Sequence, residues 1–177
     1  MAYTSSQIVQ AVPTGINSAL VLIKSETIGT TVSSVAVTSA FSATYDQYKV
    51  VVIGGVMSSS TNIKLQLGST TTGYYAFVAR GTAAGASDFV GNNNATTFDR
   101  IGAGSTNGFY CDINIGDPFA TKLTKVEATL ITLATNGSYG KTVGFLNDST
   151  SYTGFTISPD GGTMTGGAIY VYGYTKS

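Results

Sequence analysis

The stretch Phe109-Tyr110-Cys111-Asp112-Ile113-Asn114-Ile115 alternates apolar and polar residues without a break. Successive side chains of a strand point to opposite faces, so Phe109, Cys111, Ile113 and Ile115 form an apolar face and Tyr110, Asp112 and Asn114 a polar one. Such a strand covers a core on one side and meets water or a partner on the other. Cys111, on the apolar side, reads as a small buried hydrophobe rather than a reactive thiol. Ile63, Leu65 and Leu67 repeat the pattern against Lys64 and Gln66. Val50-Val51-Val52-Ile53 is apolar on both faces, as expected of a central strand with something other than solvent on each side.

Outward from these segments, period-two runs recur near residues 19–24, 31–41, 45–53, 62–67, 73–79, 98–101, 108–115, 122–133, 141–146, 151–157 and 168–174, and helical periodicity is hard to find. Gly54-Gly55, Asn107-Gly108, Asn136-Gly137, Asp160-Gly161-Gly162 and Gly166-Gly167 separate several of them and supply the positive φ angles of tight reversals. The expected class is all-β, an antiparallel sandwich of two sheets. Two stretches resist a strand reading. Residues 81–97, with Gly91-Asn92-Asn93-Asn94-Ala95, read as a long polar loop. Residues 1–18 read as an extended N-terminal arm in which Ile8, Val9, Val12 and Ile16 are placed to dock on a neighbouring subunit, the alternative being a frayed tail. The expected organisation is therefore an arm over 1–18 and one sandwich domain over 19–177.

Composition narrows the chemistry. The 177 residues hold nine Lys+Arg, nine Asp+Glu, no His, no Trp and one Cys. Without His there is no Ser-His or Cys-His relay and no His metal ligand. One Cys closes no intrachain disulfide and builds no zinc site. A net charge of zero without a basic cluster gives no footprint for nucleic acid or an anionic membrane. The apolar fraction, 42%, suffices for a core. The 22 Gly, 27 Thr and 19 Ser then describe a surface of small side chains, with only 10% of residues charged. The expectation is a non-enzymatic protein with no catalytic residues, no cofactor and no metal.

The remaining motifs are weak. Gly137-Ser138-Tyr139-Gly140-Lys141-Thr142 ends like a phosphate loop, but the first Gly of that pattern would fall at Thr135 and no helix pattern follows. Asp99, Asp112 and Asp117 read as solvated turn residues, with a glycan hydrolase or a Ca²⁺ site as the sharper alternative. Tyr170, Tyr172 and Tyr174 share one face of the closing strand and Ile169, Val171 and Gly173 the other. An outward tyrosine ladder suits either a packed interface or a glycan-binding face, because Tyr brings a large amphipathic area at small entropic cost.

Three stretches resemble the small jelly-roll virion proteins of tailed bacteriophages, particularly cyanophage-type ones. Phe41-Ser42-Ala43-Thr44-Tyr45-Asp46-Gln47-Tyr48-Lys49-Val50-Val51-Val52 is similar to that family's aromatic entry into a central strand, and Ile63-Lys64-Leu65-Gln66-Leu67-Gly68 to the strand that follows. Gly161-Gly162-Thr163-Met164-Thr165-Gly166-Gly167-Ala168-Ile169-Tyr170-Val171-Tyr172-Gly173-Tyr174 is similar to its close. The resemblance implies a jelly-roll sandwich in a trimeric or otherwise symmetric homo-oligomer on the virion, with no catalytic residues. It further implies either a head decoration (cement) protein that stabilises the capsid by bridging subunits of the major capsid protein, or a tail-fibre adhesin domain recognising host glycan. Decoration is preferred, because the sequence opens on Met1 and a docking-type arm and lacks the repeats of a fibre shaft.

Overall fold

The apolar faces of the alternating segments meet across a folded-over sheet. The computed structural model describes residues 20–176. In chain order the strands are β1 (Leu20–Thr27), β2 (Val35–Val37), β3 (Gln47–Ile53), β4 (Val56–Met57), β5 (Thr61–Leu67), β6 (Tyr74–Thr82) and β7 (Ser87–Ala95). They continue with β8 (Phe98–Ser105), β9 (Gly108–Gly116), β10 (Thr124–Ile131), β11 (Ser138–Leu146), β12 (Phe155–Pro159), β13 (Met164–Thr165) and β14 (Ala168–Tyr174). The described residues contain no helix, and all strand pairings are antiparallel. The fold is an all-β antiparallel sandwich.

One leaf has the order β1-β14-β3-β9-β10-β11-β6-β7, and the other β2-β12-β5-β8. The chain alternates between them: β1, β3, β9 and β14 lie in the long leaf, while β2, β5, β8 and β12 lie in the short one. The hairpins β6-β7 and β10-β11 extend the long leaf beyond β9. The short β4-β13 pair is separate.

The two leaves join at β9. Along one side Tyr110–Gly116 of β9 pair with β3. Along the other, Gly108–Tyr110 pair with β8 and Cys111–Gly116 with β10. The change of partner falls at Cys111, where β8 has reached Gly102. A Cβ at Gly102 would overlap Cys111 Sγ, so the missing side chain makes room for the thiol as β8 turns toward β5.

One hydrophobic cluster unites the inner faces, including Val50, Val52, Ile113 and Ile115 of the long leaf with Ile63, Leu65, Leu67 and Ile157 of the short one. The alternation of β5 and β9 is thus realised, and Cys111 is buried. Burial pushes its thiol pKa up, so it is held as the neutral thiol. Two core tyrosines keep their hydroxyls bonded. Tyr48 accepts from Ser42 N and donates to Ser42 O, each at 2.8 Å. Tyr74 accepts from Leu67 N at 2.8 Å and donates to Thr70 O at 3.2 Å. Desolvation pushes the Tyr74 pKa up to about 12.

Two segments depart from the sequence reading. Of residues 31–41 only Val35–Val37 form a strand, because Thr31 and Ser39 take left-handed φ angles of 58° and 53°. Residues 81–97 are not a long loop. Most of them form β7, joined to β6 by a turn over 83–86. Gly and Asn disfavour strands intrinsically, but the backbone of β6 offers Ser87–Asn92 a regular ladder and Phe89 stacks on Phe77 at 5.9 Å.

Gly102→Ala is expected to lower unfolding free energy by about 1–3 kcal/mol through overpacking. In a denaturation cycle Cys111→Ala should recover part of that loss. Additive effects would show that the corner does not depend on this contact.

Candidate functional site

The outer face of the long leaf gathers the residues with most to offer a partner. Tyr170, Tyr172 and Tyr174 stand together on it, each half-buried, with Ile169 and Val171 on the opposite, buried side. Their flanks come from the ladder register: Tyr172 lies between Leu22 of β1 and Lys49 of β3, and Tyr170 between Ser25 and Val51. This explains the doubly apolar Val50–Ile53 segment. Val50 and Val52 enter the core, while Val51 and Ile53 lie on the outer face beside the tyrosines.

Next to the ladder is a closed polar group. Lys49 Nζ reaches both oxygens of Asp112 at 2.7 and 2.8 Å, Tyr110 donates to Asp112 Oδ2 at 3.3 Å, and Tyr174 donates to Asn114 Oδ1 at 3.4 Å. The hydrogen bond to Asp112 holds the Lys49 pKa above its ordinary value. Desolvation, aided by the Asp112 charge, raises that of Tyr110.

The far half of the face is apolar. Tyr75 stacks on Phe145 with centroids 5.3 Å apart, Phe77 stacks on Phe89, and Val143 lies directly across from Phe77. Phe77, Phe89, Val143 and Phe145 are all exposed, Phe89 most of all at 68%. The sequence reading missed this patch because it placed Phe89 in a loop. The signal was present in Tyr75-Ala76-Phe77-Val78, apolar on both faces just as Val50–Ile53 is.

Other expected site residues fare differently. Asp99, Asp112 and Asp117 do not converge on one another's bonds: Asp99 accepts from Thr97 Oγ1, Asp112 is held by Lys49, and Asp117 by Lys125 at 2.6 Å. The described residues contain no group of three His, Cys, Asp or Glu placed to hold a metal ion. Gly140, Lys141 and Thr142 lie inside β11, not at a loop. The docking residues Ile8, Val9, Val12 and Ile16 lie outside the described residues.

Beyond the outer face, an open concavity of about 530 Å³ at one end of the short leaf is lined by Thr38, Gly68, Thr70, Thr150, Tyr152 and neighbours. Below it Asp148 collects hydrogen bonds from Thr150 Oγ1 at 2.7 Å, Tyr152 OH at 2.8 Å and Thr150 N at 2.8 Å. The bond from the Thr150 hydroxyl, then that from Tyr152, holds the Asp148 pKa below its usual 3.8.

No family model matches the chain, and a search of curated proteins finds no match.

The Asp148 cluster has a pH signature. Its folded pKa lies below 3.8, so its stabilisation is fully present above that pH and is lost as pH falls through the lower folded value. In urea titrations the difference between wild type and Asp148→Asn should shrink across that acid window. A constant difference would remove the carboxylate's charge from the explanation.

Proposed function

We propose that this chain is a non-enzymatic structural protein of a tailed-bacteriophage virion, a decoration (cement) protein that stabilises the head by bridging capsid subunits. The observation that carries the reading is the strand order, β1-β14-β3-β9 facing β2-β12-β5-β8, in which these eight strands alternate between leaves except from β5 to β8. We read this nesting as a jelly roll with two hairpins added, the architecture the sequence resemblance implies. The resembling stretches lead into β3, make up most of β5 and run through β13 and β14.

The surface chemistry supports a role in assembly. Charges are few, and those on the long leaf are largely engaged with one another, so covering the face strands few ions. Each docked copy adds contacts that exist only in the assembled particle and so stabilises it by mass action. A second reading, a tail adhesin domain for host glycan, is favoured by one feature: the Tyr170-Tyr172-Tyr174 ladder borders Lys49, Asp112 and Asn114, a mixture of stacking surface and hydrogen-bonding groups that suits a sugar.

Quantitative mass spectrometry of purified particles tests the proposal. Copies in the hundreds are expected for a head protein, a few tens or fewer would move it to the tail, and absence from particles would overturn the virion reading. Removal of residues 1–18 is expected to leave a folded sandwich that no longer joins the particle. Binding of envelope polysaccharide that is lost in Tyr172→Ala would favour the adhesin.

A further inference from the structure

The long leaf ends in two edges that are guarded unequally. β1 carries a register shift between Leu22 and Lys24 and presents Lys24 and Glu26. In the short leaf the edge strand β2 is three residues long. Bulges, charges and shortness are the ordinary means of keeping an edge from pairing with another chain. β7 has less of all three over most of its length. It runs nine residues without Pro, Lys, Arg or Glu, and its one charge, Asp88, is held by Arg80 at 2.6 Å. Its register shift falls opposite Tyr74–Ala76, so Ser87–Asn92 pair regularly with β6 and leave their other side without a strand among the described residues.

The apolar patch becomes more exposed toward this edge, from 48% at Val143 and Phe77 to 68% at Phe89. Phe89 rests on Phe77 on its inner side and on no ring or strand on its outer side among the described residues. The neighbouring charges are already matched within the chain: Arg80 with Asp88, Lys141 with Glu127, Lys125 with Asp117. This bears on the choice of occupant. A two-fold interface sets a patch against its own copy, and a patch with unbalanced charge would repel itself.

We infer that a second copy of this chain pairs antiparallel with β7 about a two-fold axis normal to the sheet. Such an axis keeps both aromatic rows on the same face and brings the Phe89 rings of the two copies together. It also supplies ladder partners to Ser87–Asn92. An edge contact of this size lies at the small end of specific interfaces, below about 1,200 Å² in total, so the dimer is concentration-dependent. The inference does not rest on the virion reading.

Sedimentation of the full chain between about 1 μM and 1 mM tests it, a span suited to weak association. The mass is expected to rise from one copy to two. Phe89→Lys should keep the circular dichroism spectrum and shift half-association upward by about tenfold or more, equivalent to ~1.4 kcal/mol. Gly91→Lys repeats the test at a position where a Cβ meets open space. Phe89→Tyr and removal of residues 1–18 should both leave dimerisation intact. A monomer throughout, dimers undiminished in both lysine variants, a trimer that survives them, or loss of association on removing 1–18 would each overturn the proposal.

Discussion

Strand β9 bonds to β3 along one side and divides the other between β8 and β10, and the rest of the architecture follows from that division. If β8 stayed with β9 throughout, the sheet would remain open and its inner face wet. At Cys111, whose thiol takes the space that a side chain on Gly102 would fill, β8 leaves β9 and runs with β5, β12 and β2 over the core. The place β8 leaves beside β9 is taken by β10, which brings β11, β6 and β7 with it. The same corner therefore produces the closed interior and the broad outer face.

That face has a graded character. Its middle is polar but internally satisfied, through Lys49–Asp112 and Lys141–Glu127, so it has little unmet demand for a charged ligand. Its ends are aromatic, half-buried tyrosines at one and exposed phenylalanines at the other. Surfaces of this kind are bound by area and shape rather than by a few strong polar contacts. This agrees with a chain that has no His and few charges.

The strand class was legible because β5 and β9 alternate strictly and one face of each is buried. The inward set of β14 was legible for the same reason: Ile169 and Val171 are inside and the tyrosines outside. Sandwich closure could not be read locally, since it involves β8 leaving β9 where Gly102 meets Cys111, residues that local patterning does not associate. β7 was missed because Gly91 and the three asparagines carry turn propensity; the ladder on β6 overrides it at Gly91 and Asn92, whereas Asn93 and Asn94 form a bulge, with Asn94 at a left-handed φ of 54°. The apolar patch went with it, as its rings come from three strands brought into register only by folding.

The first and last strands of the sandwich are neighbours, Leu20 lying opposite Tyr174. Contacts between such distant parts of a chain form slowly, because the loop they close is long, whereas β6-β7, β8-β9 and β10-β11 are local hairpins that form on the microsecond scale. Loop length alone therefore favours closing the hairpins, β6-β7 with its phenylalanines among them, ahead of the seam. For a newly made chain the hazard is one of timing, and crowding during synthesis or refolding acts most strongly in the interval before β1 reaches β14.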